Sequence, residues 1–377
     1  MSSWLGAAVA GAVAALAIAR WIWALLSGGP ILYGEGAVAH AAQLARDHLE
    51  YATLDDPRGP IFVAANYPPL YFHLAGLGEP FVAGRIASLA ATAFVAVAIF
   101  RVARARAGSP IAATLAASWL ACVPVAVWAP AVKPDLVAIA FTVGAVLAAH
   151  ERGRAGLAGV LIALAVWSKP TAALPALALA IHLAHRDPRK IAPYVVGVVA
   201  ASAGVLVLAW NDPRLMFEHV VTWNTLPWHA DRAALLAILF VIVFGIPAVL
   251  YALARPTCAP GAYFIAAIGI VLLGGREGAS LNFVLDLVAA TLVGLAAIAD
   301  RLPRPRFLAL GIAVQLVIAL VVVDPFGLGP GRAINTGAWE PAGRSSVVHG
   351  IAGDLLVEDA GLLIADGRTP RVDDLFL

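Results

Sequence analysis

Tyr33-Gly34-Glu35-Gly36 sets a lone carboxylate in a polar stretch about ten residues past the first long apolar run. An acid at a lipid boundary loses hydration, which favours its protonated form and suits it to general-base work near neutral pH. Gly34 and Gly36 permit a substrate's close approach and unusual backbone angles. A solvated loop acid, or the first turn of a helix running through His40 and Gln43, would use the same residues. Further on comes Asn66-Tyr67-Pro68-Pro69-Leu70-Tyr71-Phe72-His73. Its two prolines fix the backbone and hold the rings of Tyr67 and Tyr71 at set places. Such rings suit sugars and polyprenyl chains, and equally suit anchoring at a membrane interface. Tyr33, Tyr67 and His73 are candidate substrate contacts.

Only three of the 25 basic residues are lysine, and two of them precede proline, in Lys133-Pro134-Asp135 and Ser168-Lys169-Pro170-Thr171. An ammonium at the boundary can meet a phosphate or simply snorkel from a helix end. Asp135 can orient Lys133, help hold a cation, or act as an early-turn acid of a helix after Pro134. Arg276, in Gly274-Gly275-Arg276-Glu277-Gly278, offers a planar fork for phosphate oxygens, unless Glu277 neutralises it. Asn282 and Asp286 lie four apart on one helical face, where a buried acid is a functional hypothesis and a polar helix contact its rival. The stretch Glu218-His219 to Trp228-His229 mixes imidazole with tryptophan. Its two histidines are ten apart, which fits no zinc spacing.

The elements that must position these groups are membrane helices. The chain has 377 residues, 62% hydrophobic and 13% charged, with mean hydropathy +0.88, against about 25% charged in soluble domains. Apolar runs long enough for the bilayer span about 4–26, 81–100, 110–128, 135–150, 155–168, 171–185, 192–210, 233–254, 261–275, 281–299 and 307–323. The first is too long for a signal-peptide core and lacks basic residues ahead of it. The fifth and sixth are short and either tilt or form a hairpin. The expected fold is all-α and polytopic, with about eleven transmembrane helices over 1–323.

Arg101, Arg104 and Arg106; Arg152 and Arg154; Arg186, Arg189 and Lys190; Arg255; and Arg301, Arg304 and Arg306 each follow an even-numbered run. The positive-inside rule then puts the N-terminus in the cytoplasm. Residues 27–80 become the first outer loop, and the candidate residues gather on the extracytoplasmic face. Residues 324–377 form a short outer tail. Asp354–Glu358 and Gly361–Ala365 read there as short strands, giving a small α/β segment. Net charge of +2 offers no hint of nucleic-acid binding. Cys122 and Cys258 fall on opposite sides and cannot pair with each other. No phosphate-loop, dinucleotide or metalloprotease motif occurs, and no internal repeat.

Together, the acid in the first outer loop, Tyr67-Pro-Pro-Leu-Tyr71, Lys133-Pro134-Asp135, Ser168-Lys169-Pro170-Thr171 and the Gly275…Asn282…Asp286 spacing resemble the GT-C glycosyltransferase superfamily. The likeness is strongest to bacterial relatives of the dolichyl-phosphate-mannose protein mannosyltransferases. The tail from Val357 to Leu362 is similar to the outer C-terminal part of such proteins. The resemblance implies a bacterial inner-membrane enzyme that moves a hexose or pentose from a polyprenyl-phosphate carrier to a glycan, lipid or protein acceptor outside, with inversion. Glu35 would be the base, with Asp135 assisting, and Lys133, Lys169 and Arg276 would bind the donor phosphate. Tyr67, Asn282 and Asp286 would shape the pocket. Many members carry paired acids in the first loop. Here Gly34 precedes Glu35, so no metal ligands are assigned and dependence on a divalent cation stays open. A transporter or flippase for an anionic or lipid-linked substrate is the rival reading. Oligomeric state is not legible.

Overall fold

The computed structural model describes residues 2–32, 34–53, 63–150, 154–208, 212–254, 258–302, 305–323, 360–366, 368 and 370. In chain order its helices are α1 (Ser2–Leu26), α2 (Glu35–Leu44), α3 (Pro69–Ala75), α4 (Pro80–Ala107), α5 (Ser109–Ala121), α6 (Val123–Trp128), α7 (Asp135–His150) and α8 (Ala155–Ser168). Then follow α9 (Ala173–Arg186), α10 (Ile191–Leu208), α11 (Pro213–Phe217), α12 (Ala230–Leu253), α13 (Ala259–Leu273), α14 (Leu285–Ala297), α15 (Pro305–Val323) and α16 (Ala360–Ala365). Among the described residues, each of the eleven apolar runs falls largely on helix. Trp4–Leu26, Pro80–Ala107, Pro188–Val207 and Ala230–Leu253 are long and apolar enough to cross a membrane, and six shorter apolar helices accompany them. This is a multi-pass membrane protein.

The helix at the centre is α14. All thirteen of its residues are buried, as expected of a helix apolar all round. It is packed by α4, α5, α7, α12 and α13. Tyr251 of α12 lies so close to Gly294 that any Cβ there would strike its ring. Small residues allow this approach where lipid gives helices no hydrophobic push toward one another.

Two runs are broken, both at proline. The 110–128 run divides at an extended Cys122, because Pro124 cannot donate to a continuing helix. In α12, Phe244 leaves helical geometry ahead of Pro247. Gln315 of α15 repairs that kink: its Oε1 accepts from Ile246 N at 2.8 Å, and its Nε2 donates to the carbonyl of Ile242. Unsatisfied backbone in hydrocarbon is costly, so such a kink needs a neighbour's side chain.

At one end of the bundle α2 and α3 pack on each other and on the start of α4, and α16 docks on α2. Gly361–Ala365 is therefore helix rather than strand. A five-residue apolar run carries no decisive period, and its leucines and alanine favour helix once Leu363 and Ile364 are buried. Asp354–Glu358 lies outside the described residues.

Candidate active site

Gly34 opens α2 with φ 74°, a conformation that costs glycine little. That turn folds the Glu35 carboxylate back under the loop, where it is fully buried. Its Oε2 accepts from Ile31 N at 2.5 Å and Leu32 N at 2.9 Å, and its Oε1 from Val132 N at 2.6 Å. Arg85 of α4, also fully buried, approaches Oε2 at 3.6 Å. Its Nη1 donates to Ala24 O at 2.7 Å and its Nη2 to Gly29 O. It thereby binds one carbonyl in the last turn of α1 and another in the loop just beyond it.

The Lys133 ammonium donates to Gly34 O at 2.6 Å. Lys133 O accepts from Ser88 Oγ at 3.2 Å, and Ser88 is itself 3.3 Å from Tyr71 Oη. Glu35, Arg85 and Lys133 thus fasten the end of α1, the start of α2 and the 131–134 turn into one block. Burial raises the Tyr71 hydroxyl well above its ordinary range.

Beside this block lies a second cluster. Asp135 begins α7 with its carboxylate fully buried. Its Oδ1 accepts from Lys169 Nζ at 2.5 Å and Asn282 Nδ2 at 2.8 Å, while Oδ2 is buried with no hydrogen-bond partner. The Lys169 ammonium also stands 5.0 Å over the Phe283 ring. Asp286 feels the charges of Lys169 and Asp135 and accepts from Tyr263 Oη at 2.8 Å. Asn282 and Asp286 accordingly serve one cluster, as their spacing suggested.

Tyr67 sits where the charges of Asp135 and Arg276 both reach it. Burial raises its hydroxyl, Asp135 raises it further, and Arg276 opposes. Arg276 is half-buried: Nη1 donates to Asn224 O at 2.7 Å, while Nε is buried without an acceptor. Desolvation lowers its affinity for its proton, and Tyr67 works against that. Asn224 ties this side to the first loop, donating to Asn66 O at 2.9 Å. Glu277 pairs with His229 at 3.1 Å, so it does not neutralise Arg276.

The structure therefore brings together Asp135, Lys169, Asn282, Asp286, Tyr67 and Arg276, with Glu35 and Lys133 on the adjoining turn. His73 goes elsewhere: its Nε2 lies 3.4 Å from a fully buried Glu50, with the His48 ring tilted beside it at 5.7 Å. Tyr33 lies outside the described residues. Among the described residues no three His, Cys, Asp or Glu side chains are grouped to hold a metal ion. Arg85 and Tyr263 were missed because each lies inside an apolar run. An arginine within a span is itself the signal that would have found Arg85.

Next to the 274–281 turn opens an apolar cavity of about 370 Å³, bounded by α1, α6, α12 and α15. Leu235, Leu239 and Val243 form much of its wall, with Arg20, Trp128, Arg232 and Ser280 the polar exceptions.

Residues 68–210 match the model of the dolichyl-phosphate-mannose-protein mannosyltransferase family. That stretch contains Arg85, Lys133, Asp135 and Lys169 and leaves out Glu35, Arg276 and Asn282. No curated protein matches the chain. Among solved structures, ArnT from Cupriavidus metallidurans bound to undecaprenyl phosphate has a TM-score of 0.63 at 15% identity, covering 95% of this chain and 84% of that one. The same protein in the apo state gives 0.60 at 16% identity, covering 94% and 84%. At such identity the likeness is one of fold, and the fold is the GT-C arrangement that the sequence motifs resemble.

Proposed function

We propose that this protein is a membrane glycosyltransferase that takes a sugar from a polyprenyl-phosphate donor and passes it to an acceptor on the extracytoplasmic face, inverting the anomeric centre. The observation that carries this reading is the buried Asp135–Lys169–Asn282 cluster beside Tyr67 and Arg276, next to an apolar cavity. A lipid-linked donor needs both parts: a polar end for phosphate and sugar, and a greasy wall for the chain. The undecaprenyl phosphate held by one ArnT structure supports a carrier of that chemistry.

In this reading Arg276 meets the donor phosphate, its buried Nε and remaining donors stabilising the charge that grows on the leaving group. Lys133 and Lys169 add positive field from the other side. Tyr67 and Asn282 border the sugar, with Asp286 behind them. The acceptor's proton goes to a carboxylate, for which Glu35 and Asp135 are the two candidates at this end of the bundle. The charge alternation of the loops supports an extracytoplasmic site in a bacterial inner membrane.

The test is transfer by membranes containing the protein, given radiolabelled polyprenyl-phosphate hexoses and pentoses. One labelled sugar should pass to a membrane or envelope acceptor, and Arg276→Ala should cut that transfer at least a hundredfold. Wild-type membranes that transfer none of the panel would sink the reading.

A further inference from the structure

We infer that Asp135, through its Oδ2 atom, takes the acceptor's proton, and that Glu35 is a positioning residue which shapes the loop. This rests on the glycosyltransferase reading above and names the base within it.

The two carboxylates differ in what their oxygens already do. Both oxygens of Glu35 accept from main-chain N–H groups, at Ile31, Leu32 and Val132, and Arg85 stands beside one of them. Main-chain N–H groups only donate. A proton arriving on Glu35 would set donor beside donor and slacken the net that closes the loop. Asp135 is arranged otherwise. Lys169 and Asn282 both bind Oδ1 and so fix the carboxylate's orientation, which leaves Oδ2 buried with no partner. A buried acceptor without a donor is rare in folded proteins and asks for an explanation. A hydroxyl from the acceptor supplies the missing donor, and a base must be within hydrogen-bond reach of the proton it removes.

The step balances as a single displacement. The acceptor's O–H bond breaks and its proton moves to Asp135 Oδ2. The freed oxygen pair forms the bond to the anomeric carbon. The bond from that carbon to the phosphate oxygen breaks, and its electron pair leaves on the polyprenyl phosphate beside Arg276. On this account Lys169 serves Asp135 first, since its ammonium is already committed there at 2.5 Å.

Azide separates the roles, because it attacks the anomeric carbon without needing to be deprotonated. The assay uses the undecaprenyl-phosphate sugar that wild-type membranes transfer, with sodium azide added and glycosyl azide read by mass spectrometry. Asp135→Ala should lose acceptor transfer about a thousandfold, within the usual range for a general base, yet form glycosyl azide within about tenfold of the wild-type transfer rate. Asp135→Asn, which keeps the side-chain shape, should likewise lose transfer while still binding undecaprenyl phosphate by native mass spectrometry. Glu35→Gln should lower transfer about tenfold and gain no azide product. The assignment is overturned if Glu35→Gln abolishes transfer and azide restores turnover there. It is also overturned if Asp135→Ala binds undecaprenyl phosphate but yields no glycosyl azide. A wild-type protein without transfer would overturn the function itself, and the base with it.

Discussion

At the scale of single residues, burial decides which groups stay available. His219 is fully buried between the rings of Tyr51 and Trp223, at centroid distances of 5.5 and 3.8 Å, and neither ring nitrogen has a hydrogen-bond partner. Desolvation pushes its pKa down to about 4, with Glu218 pulling weakly the other way. The unfolded imidazole titrates near 6.5, so below that pH the unfolded chain binds more protons than the folded one. Stability from this residue is therefore full above about pH 6.5 and drains as pH falls toward 4, by about 3 kcal/mol at most. His219→Phe keeps the ring packing and removes the titration. Its melting temperature in detergent should fall less between pH 6.5 and 4 than the wild type's, and equal slopes would refute the account. The residue types were legible in sequence: Asp135, Lys169, Asn282 and Asp286 were named and form one cluster, and Tyr67 lies within reach of the charges of Asp135 and Arg276. Their partners were not. Nothing in Gly34-Glu35-Gly36 says that the acid folds back onto main-chain N–H groups, because that net depends on Val132, 97 residues away.

At the scale of elements, apolar length gave the helices and proline gave their breaks, while the repair of those breaks was invisible. Pro247 lies in plain view within the 233–254 run, but the residue that satisfies the opened backbone is Gln315, 69 positions after Ile246. A single glutamine in an apolar run reads as a tolerated polar residue until the kink is seen. Gln315→Leu should leave Ile246 N and Ile242 O unpaired inside the bundle, at a cost of about 1–3 kcal/mol. That loss should appear as a lower detergent melting temperature. A Gln315→Glu variant, which keeps the acceptor for Ile246 N and lacks the donor for Ile242 O, should fall between. A Gln315→Leu protein as stable as wild type would show that the kink is satisfied by other means. The tail helix α16 shows the opposite limit. Five apolar residues carry too little pattern to choose helix over strand, and docking against α2 makes the choice.

At the scale of the whole molecule, the site is assembled from segments that are distant in the chain. Asp135 and Asn282 bond across 147 positions, and Asn224 reaches Asn66 across 158. What united these segments in the sequence was sidedness, since alternating arginine clusters sent them all to one face. One contact agrees with that rule at the other end of the bundle. Arg106 at the end of α4 lies 3.5 Å from Asp300, so two loops assigned to the cytoplasmic side meet there. The rule is testable by labelling. With Cys122 and Cys258 replaced by Ala and Ser, cysteines are introduced one at a time at Trp228, 55% exposed on the site's face, and at Ala105, exposed beside Arg106. Spheroplasts treated with a membrane-impermeant maleimide should label Trp228→Cys at once and Ala105→Cys only after permeabilisation. The reverse pattern would turn the protein over and put Asp135 in the cytoplasm. A polyprenyl-linked donor facing the outside would then lie across the membrane from its base. The same two variants thus bear on orientation and on chemistry, because a lipid-borne sugar can be used only on the face where it is displayed.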